Sequence, residues 1–124
     1  MSPLRNFAIK FLVVSTIIGV SATVFGQDAQ PGKVDYDSLC AGCHGTNGRG
    51  DGPFSEQLRR KPSDLTMIAK SNDGVFPTAV IYQIIDGRRT LRAHQAHTMP
   101  VWGNRVPSVR IRAIIDYLKA IQVK

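Results

Sequence analysis

The sequence predicts an all-α domain of about four helices, and three stretches carry that reading. Residues 107–122 set Ile114, Tyr117, Leu118 and Ile121 three and four apart, which puts them on one helix face. Residues 77–85 repeat the pattern with Val80, Ile81, Ile84 and Ile85, opened by Pro77 in the first turn and stopped by Gly87. Gly32, Tyr36 and Cys40 fall at four-residue intervals, so a helix over residues 33–41 carries them on a single side. β-branched residues would permit a strand at 77–85, but the proline start, glycine stop and spacing favour helix.

The first 26 residues read differently. Arg5 and Lys10 form a basic start with no acidic residue before Asp28, and residues 11–25 are apolar apart from Ser, Thr and Gly. This is the layout of a secretory signal, cut after Gly26 or earlier after Ala22, leaving residues 27–124 as one small domain. The alternative is an uncleaved membrane anchor, although the run is shorter than the ~20 residues a spanning helix needs. Starting the helix at Phe7 would lengthen it but include Lys10. Loss of Arg5 and Lys10 lowers the formal charge from +7 to +5. A moderately basic domain is steered toward acidic surfaces, at rates that fall as salt rises. No basic stripe with interleaved aromatics is present, which argues against nucleic acid.

From the mature end, the first helix starts beside Pro31-Gly32. Residues 45–53 hold Gly45, Gly48, Gly50, Gly52 and Pro53, and suit neither helix nor strand. A phosphate-binding loop would need Gly-Lys-Ser/Thr and a following helix in register, which are missing. Residues 55–60 form a loose turn, and Arg59-Arg60-Lys61 reads as a solvated basic face. Pro62-Ser63 opens a short helix with Ser63 as N-cap and Asp64 near its positive end, burying Leu65, Met67 and Ile68. A turn at 71–74 leads to the helix at 77–85, and residues 88–103 form a long irregular connection. The last helix buries Val109, Ile114, Tyr117, Leu118 and Ile121, with Ile111 and Ile115 widening the face. Arg110, Arg112, Asp116 and Lys119 occupy the remainder.

The chemistry concentrates in Cys40-Ala41-Gly42-Cys43-His44. Two cysteines three apart, followed directly by histidine, form the attachment signature of a c-type haem. One helical turn holds both thiols at the separation of the two porphyrin vinyl groups, and the histidine ligates the iron. A thioredoxin-like pair would follow a strand, and none is legible upstream. A zinc site would have to add His94 and His97 to the two cysteines, leaving His44 idle. A Cys40–Cys43 disulfide would close a very short, strained loop. These are the only two cysteines, so attachment leaves no reactive thiol.

With this motif, with Gly32 and Tyr36 eight and four residues before Cys40, and with Thr98-Met99-Pro100-Val101-Trp102-Gly103 downstream, the chain resembles the bacterial mono-haem class I c-type cytochromes from residue 32 to 122. The resemblance implies a cytochrome c fold around one haem c, bonded through Cys40 and Cys43, with His44 and Met99 as axial iron ligands. It implies that residues 45–53 cover one haem edge, and that Gly32 and Tyr36 cross the last helix, where Tyr117 is their natural partner. It also implies that the Pro53 carbonyl bonds the other His44 ring nitrogen. Trp102 is positioned to close the haem edge and reach a propionate, and Arg88 or Arg89, with Arg88 preferred, to pair with one. Met67 sits at helical spacing beside Leu65 and Ile68 and reads as core; His97 would ligate only if the loop shifted, and His94 reads as exposed.

The expected function is one-electron transfer in the bacterial periplasm, with no catalytic residue, between redox proteins that present acidic docking surfaces. Membrane contact is expected only if the N-terminal segment stays uncleaved. Two alternatives stay open: a haem subunit of a larger dehydrogenase or oxidase complex, and a haem enzyme or sensor with an open sixth site. Under a hundred residues bury only a thin protein core, which a haem would thicken.

Overall fold

Gly32 decides how the first and last helices meet. A computed structural model describes residues 30–89 and 99–124. In it, α1 spans Pro31–Leu39, α2 Ala41–His44, α3 Thr78–Asp86 and α4 Ser108–Ala120. Short 3-10 turns lie at Ser55–Gln57, Leu65–Met67 and Lys70–Asn72, and no strand occurs among the described residues. A side chain at Gly32 would overlap the Ala113 carbonyl, so α1 and α4 touch backbone to backbone. That closeness buries Tyr36 completely and sets its ring 5.0 Å from that of Tyr117, tilted at 49°. The glycine thus meets Ala113 and the aromatic meets Tyr117, which divides the expected crossing between two residues of α4.

A second tie runs alongside. Arg110 on α4 donates from Nη2 and Nε to the buried Asp35 on α1, at 2.5 and 3.0 Å. The guanidinium hydrogen bonds hold the Asp35 carboxyl below the usual carboxylate range and raise Arg110 in turn. Ile111, Ile114, Ile115 and Leu118 of α4 pack with Ile85 of α3 and with Val106 to complete the core.

Several expectations need correcting. Val109, in the first turn of α4, is 69% exposed, whereas Ile111, Ile114 and Ile115 are the fully buried positions of that helix. The helix expected after Ser63 is only a 3-10 turn, and its cap is Asp64. The Asp64 carboxylate accepts from the Thr66 amide at 2.9 Å and the Thr66 hydroxyl at 2.6 Å, the N-cap bond that opens the turn. The first helix is broken at Cys40, whose φ of −119° separates α1 from α2. Pro77 caps α3 rather than entering it, whereas Gly87 stops it as expected, with φ +89°. No described helix is long and apolar enough to cross a membrane. The proposed signal at 1–26 lies outside the described residues, as do Arg92, His94 and His97.

Candidate functional site

A four-residue helix has no carbonyl partnered beyond its own turn unless something wraps back onto it. Here the glycine-rich loop does so. The Gly45 amide donates to the Ala41 carbonyl at 2.9 Å, Phe54 to Gly42 at 2.9 Å, Gly52 to Cys43 at 3.2 Å and Gly50 to His44 at 2.8 Å. All four carbonyls of α2 are satisfied. Gly45 adopts φ +79°, and a Cβ at Gly52 would meet the Ala41 and Gly42 carbonyls at 2.5 and 2.6 Å, so the wrap requires glycine at both places. The Tyr36 hydroxyl then donates to the Gly45 carbonyl at 2.7 Å, tying the loop to the helix crossing. Pro53 lies between the two returning amides of Gly52 and Phe54, which fixes it beside the Cys40–His44 turn.

That turn opens onto two adjoining cavities, which share Cys40, His44, Ser63 and Met99 in their walls. The larger has about 480 Å³ and is mostly apolar, with Tyr36, Leu65, Ile84, Ile85 and Leu118 among its walls. The smaller has about 60 Å³ and adds Cys43, Arg60, Lys61, Pro100 and Trp102. A wall of aliphatic and aromatic groups with one imidazole, the two thioethers of Met67 and Met99, and two cysteines suits a flat, apolar, metal-centred macrocycle. The chain's own chemistry therefore fits a haem.

Met99 is half-buried against the core, and the backbone just after it hangs from the end of α3. The Trp102 amide donates to the Ile85 carbonyl at 3.1 Å, and the Val106 amide to the Trp102 carbonyl at 2.8 Å. Val101 rests on Gly87, where any side chain would collide with it. Trp102 stands in the wall of the smaller cavity beside Met99 and Cys43.

The structure does not place Arg88 at this site. Its Nε donates to Asp86 at 2.6 Å, its guanidinium carbon lies 5.5 Å from the centre of the Tyr82 ring, and it lines a separate groove between α3 and α4. Arg89 lines the larger cavity instead. The signal was present in the chain: Asp86 two residues before Arg88 accepts both its amide and its guanidinium. Met67 was also misjudged, since it is half-buried in the cavity wall rather than in the core. Helical spacing could not reveal this, because the segment is a 3-10 turn.

Burial pushes the Cys40 thiol up to about 12, the reverse of the lowered value that a thiol-redox pair needs. Among the described residues no group of three or more His, Cys, Asp or Glu could hold a metal ion. Residues 27–118 match the protein family described as cytochrome c oxidase, cbb3-type, subunit III. No curated protein and no solved structure gives a significant match.

Proposed function

Since the chain belongs to the c-type cytochrome family described as cytochrome c oxidase, cbb3-type, subunit III, and is by that membership a haem c electron-transfer protein, we propose how it performs this role. Its haem is bonded through Cys40 and Cys43, ligated by His44 and Met99, and exchanges single electrons with partner proteins in the periplasm. The observation that carries this reading is that His44 and Met99 stand in the wall of one apolar cavity that begins at Cys40. A haem in that cavity supplies reversible Fe(III)/Fe(II) exchange.

The protein's part is to hold and to exclude. The capped α2 turn fixes the imidazole, and Pro53 beside it orients the ring through its second nitrogen. The tie from Trp102 to Ile85 presents the Met99 thioether, a soft ligand that favours the ferrous state. The isoleucine and leucine walls would limit water around the bound group, which would reduce the solvent rearrangement each transfer requires. Arg89, in the wall of the larger cavity, would pair with a haem carboxylate in place of Arg88, and Trp102, in the wall that contains Cys43, would cover that edge. Residues 1–26 act as the export signal and 27–124 as the working domain. The family description favours a second arrangement, in which the domain serves as a subunit of an oxidase complex; co-migration with other chains on a native gel of detergent extracts identifies it.

The test is spectroscopic. The pigment should stay with the denatured chain in acid acetone, and the oxidised protein should show the weak sulfur-to-iron band, which Met99→Ala abolishes. A wild-type protein that lacks this band and binds cyanide quickly has an open sixth site and refutes the carrier reading.

A further inference from the structure

One wall of the larger cavity, the stretch that carries Leu65, Met67 and Ile68, has little regular structure of its own. It consists of the 3-10 turn Leu65–Met67, with a second such turn following at Lys70–Asn72. A turn this short satisfies few of its own backbone groups, so its position depends on partners outside it.

Gln122 is that partner. It lies just past α4, and its Oε1 accepts from the Ala69 amide at 2.8 Å while its Nε2 donates to the Leu65 carbonyl at 2.8 Å. Nε2 also donates to the Leu118 carbonyl at 2.7 Å, which anchors the side chain on its own helix. A glutamine amide offers one carbonyl and two N–H groups, and here all three are engaged. The bonds grip residues 65–69 at both ends and hold them against the last turn of α4. Beside them the Val123 amide donates to the Thr66 carbonyl at 2.9 Å. Gln122 is not among the residues that line the cavity, so it acts on the wall from behind.

We propose that Gln122 is the positioning residue that keeps the 65–69 wall closed over the larger cavity and so sets the potential at which the bound iron changes charge. The proposal rests on the electron-carrier reading and adds which residue outside the cavity tunes it. The ferric state carries one more positive charge than the ferrous, and water favours the more highly charged state. A wall held shut limits water and keeps the potential high. A loosened wall lets it fall.

The experiment compares holoproteins by spectroelectrochemical titration. Gln122→Met keeps the length of the side chain, leaves the net charge unchanged and removes all three bonds. Its equilibrium should move toward Fe(III) by about tenfold, which is ~59 mV for a one-electron couple. The sulfur-to-iron band should persist, because Met99 is untouched. Hydrogen exchange at the Ala69 amide should quicken at least tenfold, while the Cys40 amide, bonded to the Tyr36 carbonyl at 2.8 Å, keeps its wild-type rate. Gln122→Asn retains the amide but not its reach, and should shift the potential the same way by a smaller amount. Ile111→Ala serves as the control: it weakens the buried face of α4, lines no cavity, and should lower the melting temperature while moving the equilibrium less than twofold. An equal shift in Ile111→Ala means that any loss of stability lowers the potential, and overturns the proposal. So does an unchanged potential in both Gln122 variants once Ala69 exchange has quickened. A wild-type holoprotein with no reversible one-electron couple refutes the electron-carrier reading itself, whereas a normal couple indifferent to Gln122 refutes only the positioning role.

Discussion

The two sides of the cavity are built on opposite plans. On the His44 side, four backbone hydrogen bonds close onto a four-residue helix, and every residue involved lies between 41 and 54. On the Met99 side, position depends on the Trp102 amide reaching back to Ile85 of α3, on Val101 resting against Gly87, and on Met99 packing against the core. The first side is written in local sequence and the second in tertiary contact. A ligand fixed locally keeps its place when the fold is disturbed; one fixed remotely depends on the core that carries it.

Breaking the local side at its covalent point should have the greatest effect. The Cys40→Ala/Cys43→Ala chain should lose its bound pigment and its cooperative thermal transition, because the cavity of about 480 Å³ would stand unfilled at the centre of a small core. A sharp melt at the wild-type temperature contradicts this. Next comes the crossing on which both sides depend: Gly32→Val forces a side chain into the Ala113 carbonyl and should cost about 3 kcal/mol or more, measured by denaturant unfolding. Met99→Ala should cost less than the cysteine pair and leave the pigment attached. Its mark is selective, since the sulfur band disappears while helical circular dichroism persists. If Met99→Ala melts as badly as the double cysteine variant, the two plans are not independent.

The mildest change separates the crossing's charge from its shape. Asp35 is held below its ordinary value of 3.8 by Arg110, so its ionised form is stabilised in the folded state. That contribution is complete above about pH 4 and is lost as acidity carries the pH down through the lowered value. Wild type should therefore exceed Asp35→Asn in stability at neutral pH by a constant margin, and the margin should close below pH 4. A margin that widens in acid would mean that the pair does not titrate as the geometry requires.

The same division explains what could be read from the chain. The attachment turn, the glycine loop and the glycine that ends α3 were legible because each is a short pattern with a local physical cause. The all-α class followed from three- and four-residue spacing. Val109 deceived because periodicity gives a face but not which turns of that face have a neighbour. Met67 deceived because cavity walls are assembled from distant segments, and it carries no local sign of its place; Arg89, named beside Arg88 as a candidate, stands in that wall. Arg88 was the exception: Asp86 stood two residues away, and a short acidic–basic interval is a pattern that sequence alone exposes.

The crossing of α1 with α4 also sets how the two sulfurs are reached. Its contacts join residues about 80 apart in the chain, and closing such a loop costs on the order of 4 kcal/mol of chain entropy. Once it has formed, Cys40 is half-buried against the core yet still stands in the wall of both cavities. After closure, the approach to that sulfur therefore runs through the cavities and not through the helix crossing.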